Sequence, residues 1–259
     1  MSALLEVGGL AAGFGTAPDV LAGVDLTVER GEFVSVLGPS GCGKSTILNC
    51  TAGLLVPRAG RVVFDGRPVE GVNTGVGYMT QDDTLLPWRR IADNVALPLR
   101  MRRVPKGEIG PLVERYLTLL DLRDAAQLYP AQLSGGMKRR ALLARSMIYE
   151  PELLLMDEPF AALDAQLRAQ MHAELRRTVR ETGVTVLFVT HDIGEAVALS
   201  DRVVVVGGPR PSGIVHEQAI PFGTDREMET LRFHPDFAAL ERDLHAALQS
   251  ARPPKGDPR

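Results

Sequence analysis

Only two cysteines, Cys42 and Cys50, occur in the 259 residues. Both sit beside one glycine-rich segment, and neither stands at metal-ligand spacing from another Cys or a His, which excludes a disulfide framework and points to a reducing compartment. Positive charge is also in short supply. The 29 Lys and Arg are outnumbered by 32 Asp and Glu, leaving a formal net charge of −3, so there is no global basic field to attract nucleic acid. The local basic clusters at Arg89-Arg90, at Arg100, Arg102, Arg103 and Lys106, and at Lys138-Arg139-Arg140 are read as solvated faces. Long apolar runs are missing as well. Segments 153–156 and 203–206 fall far short of the ~18 residues of a membrane helix, and MSALLEVGGL lacks the basic start and apolar core of a signal peptide. No internal repeat is visible.

What is present is ordinary globular composition, with 45% hydrophobic and 24% charged residues, enough to bury a sizeable core. Four apolar, β-branched runs, FVSVL (33–37), ELLLMD (152–157), VTVLFVT (184–190) and RVVVV (202–206), alternate with helical stretches. Near-continuous apolar strands of this kind predict a parallel sheet covered on both faces, hence an α/β core. LLEVGGL, VDLTV, GRVVFDG and TGVGYMT, separated by Gly-containing turns, predict an antiparallel β subdomain. From about 86 to 146 the chain turns helical, punctuated by Pro87, Pro98, Pro105 and Pro111, and reads as an insertion into the core. A helix after Asp164 carries Leu167, Met171, Leu175 and Val179 at spacing four and stops at Gly183. The expected organisation is a main unit over 1–222, a helical extension over 223–250 with Phe237, Leu240, Leu244 and Leu248 on one face, and a frayed tail over 251–259.

The stretch GPSGCGKST (38–46) follows the first apolar run and opens a helix. It satisfies the phosphate-loop pattern through Gly38, Gly43, Lys44 and Ser45. Glycines admit the backbone close to phosphate, so the amides of Gly38, Pro39's neighbours Ser40 and Gly41, then Cys42, Gly43 and Thr46 can form an anion-binding concavity at the helix start. Lys44 would reach the β and γ phosphates, and Ser45 offers a hydroxyl to Mg²⁺. Further on, LLLMDE ends a buried strand with Asp157 and Glu158, delivered to the sheet edge where α/β proteins bind ligands. Asp157 suits the Mg²⁺ shell, and Glu158 suits a general base or the residue that polarises the attacking water. Between the two motifs lies LSGGM (133–137), a hydroxyl and two glycines at a helix start, 23 residues before Asp157.

With these motifs in this order the chain resembles the ATP-binding cassette (ABC) ATPases, whose signature is LSGGQ or a close variant. The resemblance covers nearly the whole chain and implies a phosphate-loop NTPase core that hydrolyses ATP. It implies that Ser134, Gly135 and Gly136 face ATP held by a second copy, in a homodimer. Phe14 stands where the family stacks an aromatic on adenine, Gln81 where a lid glutamine senses Mg²⁺ and the attacking water, Asp164 in the loop that crosses the dimer interface, and His191 where a switch histidine contacts the γ-phosphate. Each has a structural alternative: a core aromatic, a turn residue, a helix N-cap and a strand-end histidine.

LLPWRRIADNVALPL, DEPFAALDAQLR and THDIGEAVALSDRVVVV resemble, more narrowly, the ATPases of nitrate, sulfonate and taurine importers. The likeness implies a membrane permease bound through the region from Gln81 to Trp88, an extracytoplasmic substrate-binding protein acting indirectly, and a place on the cytoplasmic face of the inner membrane. Trp88 is either part of that socket or a core aromatic. Arg139 departs from the family, which has a glutamine there. The other function classes are the ATPase of a lipid or lipoprotein extraction system, and a soluble ABC ATPase acting on nucleic acid or ribosomes. Lys44 and Ser134 are 90 residues apart without heptads, and a single cassette is present, which disfavours the latter.

Overall fold

The computed structural model describes residues 3–223, 226 and 230–251. In chain order it runs β1 (Ala3–Ala12), β2 (Leu21–Glu29), β3 (Phe33–Leu37), α1 (Lys44–Thr51), β4 (Ala59–Phe64), β5 (Arg67–Pro68) and β6 (Val76–Met79). Three helices follow, α2 (Ile91–Met101), α3 (Lys106–Leu119) and α4 (Gly135–Met147). The chain then alternates through β7 (Leu153–Asp157), α5 (Ala165–Thr182), β8 (Thr185–Thr190), α6 (Ile193–Leu199) and β9 (Arg202–Gly207), and finishes with β10 (Gly213–Ala219) and α7 (Pro235–Ser250).

Two sheets result. The larger has the order β10-β9-β3-β8-β7-β6, parallel throughout except for the β10 edge. Its central strands are buried along their whole length, which is why they read as unbroken apolar runs. The register aligns Leu37 with Thr190 and Asp157 with Val189. Whatever follows β3, β7 and β8 therefore emerges side by side at one carboxyl edge. The smaller sheet, β2-β1-β4-β5, is antiparallel.

Three expectations need correction. TGVGYMT was expected in the antiparallel group, but β6 pairs parallel with β7 in the main sheet. A four-residue strand with Gly75 before it and Gly77 within it carries too little side-chain pattern to name its partner. Pro98 and Pro111 lie inside α2 and α3 rather than between helices; tertiary packing of Val95, Leu99, Val113 and Leu117 in one core outweighs the local cost of each proline. The basic run at 138–140 is not wholly a solvated face, because Arg139 is only 8% exposed.

Helix ends follow their chemistry. Asp164 caps α5, its carboxylate accepting from Leu167 N at 2.9 Å, and Gly183 closes the helix in the left-handed region. Met171, Leu175 and Val179 face the core as their spacing predicts. On α7, Phe237, Leu240 and Leu244 pack against β9 and α6 residues. Ala251, placed in the expected tail, is buried, and its carbonyl accepts from Gly208 N at 2.7 Å. Residues 252–259 lie outside the described residues.

Candidate active site

The loop after β3 turns into α1 through Gly43, whose φ of 104° and a Cβ position only 2.6 Å from Leu21 admit no other residue without strain. Lys44 follows, 5% exposed. Its ammonium donates back to the carbonyls of Gly38 at 2.9 Å and Pro39 at 3.1 Å. The cation is thus folded over the concavity it would share with phosphate. Cys42 is buried in the same loop, and burial raises its thiol pKa.

From β7, Asp157 accepts from Ser45 Oγ at 3.0 Å. Burial raises the pKa of Asp157; the Ser45 hydrogen bond lowers it again, the Glu158 charge adds to the rise and Lys44 opposes it. A desolvated carboxylate touching a hydroxyl is a pair of hard oxygen donors, and a cation bound there would favour the charged form. Glu158 is next, with φ 44°, a backbone conformation that costs a non-Gly residue roughly 1–2 kcal/mol. Its amide donates to Val189 O at 3.0 Å, Oε1 lies 3.7 Å from Lys44 Nζ, and Oε2 accepts from His191 Nδ1 at 2.9 Å. The strained backbone aims one carboxylate between a cation from the β3 edge and an imidazole from the β8 edge.

A second locus lies on α4 and α5. Ser134 caps α4 by accepting from Met137 N at 3.3 Å and is exposed with Gly135. Gly136 sits against Leu167, one helical turn into α5, where a Cβ would come within 2.6 Å of Leu167 Cδ1. The structural alternative for Asp164 is therefore fulfilled: it is an N-cap, and an exposed one. Among the described residues no hydrogen bond or ion pair joins Ser134 or Asp164 to Lys44, Glu158 or His191. Phe14 is 54% exposed rather than a core aromatic, and Gln81 is exposed at the end of β6. Trp88 is 71% exposed, which removes its reading as core.

Residues 21–161 match the ABC transporter family. This chain belongs to that family. It is 42% identical to the taurine import ATP-binding protein of Chromobacterium violaceum over 242 residues, covering 92% of each chain. It is 40% identical to the nitrate import ATP-binding protein of Synechococcus elongatus over 222 residues, covering 85% of this chain and 81% of that one. Among solved structures, a component of the ABC transporter complex cbiONQ from Clostridium perfringens matches with TM-score 0.77 and 26% identity, covering 95% of this chain and 99% of that one. A dimeric ATP-binding cassette in a post-hydrolysis state bound to ADP and Pi matches with TM-score 0.71 and 28% identity over 83% of this chain and 98% of that one.

Sequence reasoning missed several residues of this ABC ATPase that hold the segment after Gln81. Asn94, fully buried on α2, accepts from Leu86 N at 2.7 Å and donates to the carbonyls of Leu86, Arg89 and Arg90. It staples the turn that displays Trp88. Lys138 Nζ lies 3.6 Å from Asp83, and Arg145 donates to Thr84 O at 2.8 Å, so α4 holds the segment after Gln81. A groove of about 490 Å³ opens between α2 and the turn that follows α1, lined by Leu54, Val72, Leu97, Pro98, Met101 and Tyr149 among others. Its walls come from four stretches of chain, so no local pattern could have marked it.

Proposed function

We propose that this ABC ATPase is the ATP-hydrolysing subunit of an importer for nitrate, a sulfonate, taurine or a related small solute, working as a homodimer on a separate membrane permease. The solute class rests on the importers named above, and no residue of the ATPase needs to touch it. The observation that carries the ATPase site is the convergence of Lys44, Ser45, Asp157, Glu158 and His191 at one sheet edge.

In this reading the loop amides from Gly38 to Thr46 bind the phosphates, and Lys44 exchanges its two carbonyl partners for β and γ oxygens. Ser45 and Asp157 hold Mg²⁺, which would neutralise charge on the transferred phosphoryl group. Among the described residues no three His, Cys, Asp or Glu side chains form a metal site alone, so such an ion would share its shell with phosphate and water. Glu158 orients the attacking water and takes its proton, His191 contacts the γ-phosphate from the far side, and Gln81 reports on both. Phe14 stacks on adenine. Ser134, Gly135, Gly136 and Asp164 complete the site of the opposite copy.

Among the described residues no helix is long and apolar enough to cross a membrane; the membrane link is a docked permease. Trp88, exposed on a turn stapled by Asn94, and the apolar groove beside α2 form its landing surface, which would place the subunit at the cytoplasmic face of the membrane. Reconstitution with a membrane permease in liposomes tests the reading: nitrate or taurine uptake should depend on ATP. Trp88→Ala should leave basal ATPase of the isolated chain intact and weaken permease capture by ~2 kcal/mol or more, as a central aromatic anchor does. ATP-dependent lipid extraction without solute uptake would replace the importer reading.

A further inference from the structure

Behind His191 lies a buried polar network that the hydrolysis reading does not use. His172, on α5, and Glu195, on α6, are both almost fully buried, and His172 Nε2 lies 2.7 Å from Glu195 Oε1. The other oxygen of Glu195 accepts from the Thr190 hydroxyl, and Thr190 Oγ1 in turn accepts from Asp192 N at 3.0 Å. Asp192 Oδ1 accepts from Glu195 N at 3.0 Å, while Arg168, also on α5, donates to Asp192 Oδ2 at 3.2 Å and to Leu163 O at 2.9 Å. The two residues that flank His191 in the chain are thus each tied to α5. Thr190 is held through the buried pair, and Asp192 through Arg168.

The arrangement has a physical consequence. His191 itself is exposed, and its side chain is held by Glu158. Its position therefore depends on the backbone at 190 and 192: moving it breaks the buried Thr190–Glu195–His172 hydrogen bonds, where an unpaired polar group is costly, and the partly exposed Arg168–Asp192 pair. Asp164 caps the start of α5, so the same rigid element carries the interface loop at one end and the restraint on His191 two turns later.

We propose that His172 and Glu195 are positioning residues for hydrolysis, fixing the loop that sets His191 against Glu158 and linking it to α5; this rests on the reading of His191 as the γ-phosphate contact. The alternative is a pair that contributes to stability alone. The two differ in what happens when His191 is gone. In the full-length chain, His172→Ala should lower kcat about 10- to 100-fold, the scale of a displaced reacting group. ATP affinity should stay within about twofold, and His172→Gln, whose amide can still donate to Glu195, should recover most of the loss. In a His191→Ala background the same substitution should have no further effect on kcat.

An equal loss in both backgrounds, or an unchanged kcat in folded His172→Ala, overturns the proposal. If His172→Ala does not fold, Thr190→Val against Thr190→Ser makes the same comparison: a deficit with Val that Ser repairs supports the link, and equal rates refute it. If His191→Ala alone turns over ATP at the wild-type rate, the underlying assignment of His191 fails, an outcome distinct from a His191 that matters while His172 does not.

Discussion

The β3–β7–β8 edge and the α4–α5 caps each contain one glycine-assisted helix start, at Gly43 and at Gly135-Gly136, yet they differ in how complete they are. At the sheet edge every charged group already has a partner: Lys44 on two loop carbonyls, Asp157 on Ser45, Glu158 on His191. At the caps, Ser134 and Asp164 satisfy only their own helices and present the rest of their surface to solvent. A parallel sheet can preassemble a site because its strand ends are held in register by the ladder. In the proposed reading, a helix cap on a surface supplies half a site, which a second copy of the chain would complete.

The sharpest way to break this contrast is at the preassembled side. Glu158→Gln keeps size and one acceptor oxygen but removes the base, so kcat should fall ~10²–10⁴-fold with ATP binding retained. Steady-state turnover beside equilibrium ATP binding checks it, and near-wild-type turnover would remove Glu158 from the chemistry. Next comes the unfinished side. Ser134→Arg, made in the Glu158→Gln chain, should abolish the ATP-driven dimer seen by size-exclusion chromatography while ATP still binds the monomer. A persisting dimer would show that the α4 cap does not face a second nucleotide.

Asp164→Ala separates the cap from the interface role. Loss of an N-cap should lower stability by ~1 kcal/mol, with Asp164→Asn nearly neutral; if hydrolysis falls for Asn as well, the charge of Asp164 acts beyond its helix. The smallest effect concerns solvent access. Both thiols are buried; burial raises the pKa of Cys42 and pushes Cys50 up to about 11, so both are shielded and shifted toward the protonated form. Thiol alkylation there should be slow in the folded chain and fast after denaturation, whereas Ser134→Cys, on the exposed cap, should label at once. Fast labelling of Cys42 would mean that the phosphate loop opens readily.

The sequence by itself determined the phosphate loop, the carboxylates Asp157 and Glu158, the signature, the parallel core and the α5 stripe, because each is a short pattern whose chemistry or period is carried by neighbours in the chain. It did not determine where β6 pairs, that Pro98 and Pro111 sit within helices, or that Arg139 is buried, since those are outcomes of competition between a weak local preference and a large shared core. Nor could it choose between core and surface for Trp88, a choice made by Asn94 eight residues after Leu86 and visible only once the turn is closed. The tertiary structure alone brought His172 to Glu195 across 23 residues and set both behind His191. A local motif specifies which groups a chain carries; the packing of α5 against α6 decides which of them meet.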